Sequence, residues 1–325
     1  MMQSRSARAA DAVNKKLEQL LPALFPFGIA LGLVLPSVFS HLRPMVPWFF
    51  AVLTLSGALR LKITEFGRTV RAPLPIFFFM VAIRVLMPLI ALFASSVFFG
   101  GNPDVVSGFV LLFAGPVAVS SIIWIGMFNG DRALCLTLIL LDTLLAPLVV
   151  PGTLSVLMGE AVTMDIGGIV VSLLMMVVAP TIAGVAANEA SRGKIADLLC
   201  PYLVPLGKIF LMLVIAANSS AIAHAVSFAD PFFWQVAALS VSLSTGSFML
   251  MKLVGIAARC SHEKNVTMFF TGGLKNISVV ATIAVTFFPE AAALPAVTGI
   301  LFQQLIAAVM GKAIRGRQER GESAS

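Results

Sequence analysis

Long apolar runs, interrupted by short polar stretches, occupy the chain from residue 21 almost to its end. A helix that crosses a bilayer needs about 20 mostly apolar residues. Ten segments meet that need: 21–40, 45–61, 73–99, 106–128, 133–158, 166–188, 203–224, 231–256, 266–288 and 291–313. Hydropathy supports nine of them strongly and the seventh more weakly, because it holds Lys208, Asn218, Ser219 and Ser220. The pattern predicts an all-α integral membrane protein.

Composition agrees. The 325 residues are 59% hydrophobic and 11% charged, whereas charge makes up about a quarter of a soluble domain. Too few charges are present to cover a water-facing surface, so the expected solvent is lipid. The net charge of +7 does not point to nucleic acid, because the basic residues sit in short clusters between apolar runs and form no basic face. With both termini placed in the cytoplasm, the inside segments are the lead 1–20, the loops 62–72, 129–132, 189–202 and 257–265, and the tail. All 22 basic residues except Arg43, Arg84 and Lys275 then fall in or beside those segments, as the positive-inside rule expects. The outside loops carry Asp104, Glu160, Asp230 and Glu290 instead. The expected location is the cell (inner) membrane.

Ten spans divide into five and five. Five is odd, so a second copy of such a unit enters the membrane the other way up, which is the arithmetic of an inverted repeat. The expected organisation is a cytoplasmic lead at 1–20, a first five-helix repeat at 21–158, a second, inverted one at 159–313, and a cytoplasmic tail at 314–325. The fourth span holds Gly115-Pro116-Val117-Ala118-Val119-Ser120-Ser121, and the ninth holds Thr271-Gly272-Gly273-Leu274-Lys275-Asn276-Ile277-Ser278. Each is a polar, breakable stretch in the fourth helix of its half. Paired interruptions of this kind are the best sequence pointer to a transporter binding site. Breaking a helix frees backbone N–H and C=O groups that lipid cannot satisfy.

Three charged residues lie deep inside spans, where each costs roughly 2.5–3.5 kcal/mol at the centre. Arg84 lies about 11 residues into its span, roughly 16 Å at 1.5 Å per residue. Asp142 lies in the fifth span and Lys275 in the broken stretch of the ninth. Each has a structural alternative. Lys275 could pair with a buried acid, Asp142 could bond a hydroxyl or a buried base, and Arg84 could brace a backbone carbonyl. Ser120, Ser121, Ser278, Asn218, Gln303 and Gln304 are candidate cavity-lining groups, although a helical serine often bonds only its own backbone. The three cysteines and three histidines share no metal-ligand spacing. No GxSxG, HExxH or P-loop is present, so neither an enzyme nor a cofactor is expected.

Several motifs resemble the bile acid:sodium symporter family in order and spacing. They are Val85-Leu86-Met87-Pro88; then Pro116, Asn129-Gly130-Asp131-Arg132-Ala133-Leu134, Leu144-Leu145-Ala146-Pro147 and Pro151; then Gly273-Leu274-Lys275-Asn276, Phe288-Pro289 and Leu294-Pro295. The resemblance implies a panel domain and a core domain, with crossing broken helices four and nine in the core. It also implies alternating access and an organic anion as substrate.

The family's sodium ligands do not carry over with it. Its first site uses a Ser-Asn pair, a serine, a threonine and a glutamate; the matching positions here are Ser121, Ile122, Cys135, Ile139 and Thr271. Its second site uses a glutamine, the same glutamate and another glutamine, which match Ile83, Thr271 and Lys275. A hard cation needs several oxygen ligands. Isoleucine supplies none, and lysine repels the ion. The Lys275 ammonium, with Arg84 beside the other lost ligand, is expected to stand in for it. Asp142 is expected to be the counter-charge of Lys275. Transport is then sodium-independent, either uncoupled or coupled to protons carried on Lys275. Asn276, Gln303 and Gln304 match polar family positions near the substrate, which is expected to be a small or medium carboxylate. The alternatives are a sodium-coupled organic anion symporter and a cation/proton antiporter using Asp142 and Lys275. A channel would need a longer polar lining, and a sensor or scaffold would lack the paired breaks.

Overall fold

A computed structural model describes residues 26–61, 73–159, 165–223 and 228–322. The lead 1–20, the start of the first expected span, the basic loop 62–72, Glu160 and the last three residues of the tail lie outside them. The described residues are helical, with no strand beyond one isolated bridge. The helices are α1 (26–34), α2 (Pro36–Ala58), α3 (Pro73–Phe99), α4 (Pro103–Ala114), α5 (Ser121–Met127), α6 (Arg132–Met158), α7 (Ile166–Ala190), α8 (Lys194–Ala221), α9 (Pro231–Ala257), α10 (His262–Gly273), α11 (Ile277–Phe287) and α12 (Leu294–Glu322).

Seven helices are long and apolar enough to cross a membrane: α2, α3, α6, α7, α8, α9 and the stretch Glu290–Lys312 that forms most of α12. Their outer faces are apolar and uncovered. Phe93 is 74% exposed, Leu148 74% and Val156 81%, an arrangement that only a lipid solvent makes favourable. The predicted fourth span is split into α4 and α5, and the ninth into α10 and α11. The longest of these pieces has 12 residues, about 18 Å at 1.5 Å per residue, so none crosses a ~30 Å core alone.

The chain forms two compact units. The first comprises 1–64, 164–226 and 281–293; the second comprises 65–163, 227–280 and 294–325. In the first unit α2 packs on α7 and α8. Phe49 stacks on Phe210 with ring centroids 4.7 Å apart. Gly32 lets α1 lie against the backbone of α8, since a Cβ there would sit 2.2 Å from the Ala216 carbonyl.

The seventh expected span begins earlier than predicted. α8 starts at Lys194 and contains Pro201 and Pro205. The turn before it is short: Arg192 and Gly193 both take positive φ, 53° and 87°. The expected inside loop 189–202 is therefore mostly helix.

α3 and α7 each contain one π turn, at Ala82–Leu86 and Leu174–Val178. Each lies just before a proline, Pro88 or Pro180. A proline has no N–H for the carbonyl four residues earlier, and a widened turn absorbs the misfit. The Met176 carbonyl, which Pro180 cannot reach, accepts instead from Thr54 Oγ1 at 3.0 Å.

The second unit holds α3, α4, α5, α6, α9, α10, α12 and the first residues of α11. α9 and α10 pair as a hairpin, and α4, α5 and α10 pack on α6. Phe248, Phe269, Phe270, Leu138 and Ile125 are central to its core. Gly273 allows close approach there: a Cβ would lie 2.3 Å from Phe248 Cδ1.

Candidate functional site

The two helix breaks meet within the second unit. Residues 115–118 leave α4 without helix before a turn at 119–120, and 274–276 leave α10 likewise without helix. They run antiparallel and pair as a two-residue bridge between Val117 and Lys275. The Ala118 N–H donates to the Leu274 carbonyl at 3.0 Å, and the Asn276 N–H donates to the Pro116 carbonyl at 2.8 Å. Each break thus satisfies part of the other's freed backbone.

Side chains satisfy more of it. Arg84 Nη1 donates to the Ala114 carbonyl, the last of α4. Asp142 Oδ2 accepts from the Val117 N–H at 2.7 Å. Gln303 clamps the second break from α12: its Oε1 accepts from the Lys275 N–H at 2.9 Å, and its Nε2 donates to the Lys275 carbonyl at 3.0 Å. An unsatisfied buried backbone group costs about 1–3 kcal/mol, so these three side chains hold a crossover that could not persist bare.

The expected Lys275–Asp142 pair is replaced by another. Asp142 forms an ion pair with Arg84 through Oδ1 and Nη2, and Nη2 also donates to the Asp142 backbone carbonyl at 3.1 Å. Oδ1 has no aligned hydrogen bond; the charge contact is what holds it. Both side chains are buried, at 6% and 0% exposure. Lys275 is 2% exposed, and its Nζ has no hydrogen-bond partner among the described residues. It still feels the charges of Arg84 and Asp142. The structure therefore brings all three expected charges to one crossover, but leaves the lysine as the cation without a partner.

The remaining predicted residues divide. Ser121 and Thr271 are fully buried and converge on one thiol, each 3.7 Å from Cys135 Sγ. Asn276 is half-buried and caps α11, its Oδ1 accepting from the Val279 N–H at 3.4 Å. Gln304 accepts from Trp124 Nε1 at 3.2 Å. Ser120 is half-buried at the head of α5 and makes no side-chain cap. Asn218 lies in the first unit, donating to Thr282 Oγ1 at 2.9 Å. Of the positions aligned with lost sodium ligands, Ile83, Cys135 and Ile139 sit in the apolar core, and Ile122 packs against it. Sequence reasoning missed the roles of Val117, whose backbone holds Asp142, and Trp124, which holds Gln304. Val117 acts through its main chain and gives no side-chain signal, whereas Trp124 acts through an indole N–H that needs an acceptor when buried.

Two apolar helices broken at matching places, with their breaks paired and a charge buried between them, build the kind of site that membrane transporters use. The chain belongs to the Sodium Bile acid symporter family, whose profile matches residues 47–227. It is 36% identical over 291 residues to "Uncharacterized protein YbaS" of Bacillus subtilis, covering 90% of this chain and 95% of that one. It is 21% identical to "Uncharacterized sodium-dependent transporter YocS" of the same organism, covering 91% and 92%. It is 28% identical to the rice "Probable sodium/metabolite cotransporter BASS2, chloroplastic", over 54% of this chain and 43% of that one. The family, and the relatives YocS and BASS2 by name, are transporters rather than enzymes.

Proposed function

We propose that the protein is a secondary transporter that moves a small or medium organic anion by alternating access and does so without sodium. The observation that carries this reading is Lys275 Nζ, a buried cation without a hydrogen-bond partner at the crossing of two broken helices. A fixed cation there attracts a carboxylate and repels an inorganic cation. The positions that would supply sodium ligands by family resemblance offer two hydroxyls, Ser121 and Thr271, and those are engaged with Cys135. The driving force is then the substrate's own gradient or a proton gradient.

The ten-span inverted repeat belongs to the same proposal. Each compact unit draws pieces from the two halves: 1–64 with 164–226 and 281–293, and 65–163 with 227–280 and 294–325. So does the placement in the cell membrane with both termini cytoplasmic, which rests on the distribution of Arg and Lys. A second reading, sodium-coupled symport, is favoured by the name of the YocS relative, a sodium-dependent transporter.

Counterflow tests the carrier. Proteoliposomes preloaded with unlabelled substrate should accumulate labelled substrate transiently above equilibrium. A flux that unlabelled substrate inside does not accelerate would contradict alternating access and favour a channel.

A further inference from the structure

Among the described residues only three charged side chains are buried: Arg84, Asp142 and Lys275. Their formal charges sum to +1. Arg84 is committed to the Ala114 carbonyl and to Asp142. Asp142 is committed to Arg84 and to the Val117 N–H. Lys275 keeps every side-chain donor unspent, whereas Arg84 keeps only Nε. Its main chain is fixed on both sides by Gln303, so the ammonium is held on an anchored backbone. The 11-residue helix α11 begins two positions later, and its N-terminus adds a partial positive charge.

We infer that Lys275 sets the headgroup charge of the substrate: its Nζ binds one singly charged anion, a monocarboxylate, and the site discriminates against both a dianion and a neutral amide. This rests on the carrier reading above. One negative charge neutralises the buried triad. A dianion leaves one unit of negative charge buried without a partner, and an amide leaves the lysine unneutralised. Arg84, although cationic and close by, takes no part in binding the headgroup, because both its Nη atoms already serve the crossover and Nε alone is unspent. Breaking a buried charge pair weakens it by at least about 100-fold, and that is the discrimination expected.

The test uses the purified full-length protein with two matched sets of probes: hexanoate, adipate and hexanamide, and benzoate, phthalate and benzamide. Affinities are measured by thermal shift and calorimetry on the wild type, Lys275→Met and Lys275→Arg. In at least one set the monocarboxylate should bind 100-fold or more tightly than its dianion and its amide. Lys275→Met should abolish that preference while remaining folded, and Lys275→Arg should restore part of it. Three results would overturn the inference: an amide or dianion binding within tenfold of the monocarboxylate, a preference that survives in Lys275→Met, or no binding by any of the six. Counterflow on the same probes separates the two claims. Counterflow of a dianion with no preference for the monoanion defeats the role of Lys275 and leaves the carrier standing. Absence of counterflow with every probe defeats the carrier as well.

Discussion

Replacing Arg84 with methionine removes the positive half of a pair whose negative half is fully buried. Asp142 would keep one hydrogen bond, from the Val117 N–H, and would lose its only charge partner in contact. The Ala114 carbonyl and the Asp142 carbonyl would each lose a donor. Breaking a buried ion pair from one side costs about 3–5 kcal/mol, and Arg84→Met should lose that much. Asp142→Asn in the same chain should recover most of the loss, because the amide oxygen can still accept from Val117 and no charge remains. Unfolding of the detergent-solubilised protein by denaturant, run as a double-mutant cycle, measures the coupling. An Arg84→Met loss below about 1 kcal/mol, the range of an exposed pair, would refute the claim that this pair supports the crossover.

Lys275→Met should behave in the opposite way. Its ammonium has no hydrogen-bond partner, so its removal should leave the substrate-free protein as stable or up to about 3 kcal/mol more stable; a loss above about 1 kcal/mol would mean that the lysine braces the bundle. Gln303→Ala strands the Lys275 N–H and carbonyl and should cost about 2 kcal/mol or more at 1–3 per buried group, read in the same unfolding assay; an unchanged stability would show that the clamp is dispensable. Gly115→Ala would put a methyl 2.2 Å from Val280 Cγ2, an overpacking worth about 1–3 kcal/mol, and a variant as stable as wild type would show that α4 and α11 have room to part.

The seven long spans follow from hydropathy alone, since lipid imposes a length and an apolarity that few other structures share. Both breaks were legible too, because Gly-Pro and Gly-Gly beside polar residues cannot continue a helix cheaply. The partner of Asp142 was not. Spacing along one helix places Asp142 on the face of the lost ligand positions, but it does not say which buried base reaches it, and Arg84 arrives from a separate helix. Gln303 and Gln304 were marked as polar lining; one became a clamp on the backbone and the other an acceptor for Trp124. The choice depends on where the broken strand comes to rest, which is a tertiary matter. The early start of α8 was not legible in the apolar run that defined the span, because its first turns carry Lys194 and Asp197.

The central claim is that a fixed ammonium takes the place of a coupling cation. Its most direct test is initial-rate uptake of a transported anion into proteoliposomes, with sodium replaced by an inert cation at fixed pH and fixed membrane potential. The account predicts an unchanged rate. A rate that collapses without sodium and returns in saturable fashion as sodium is restored would contradict it.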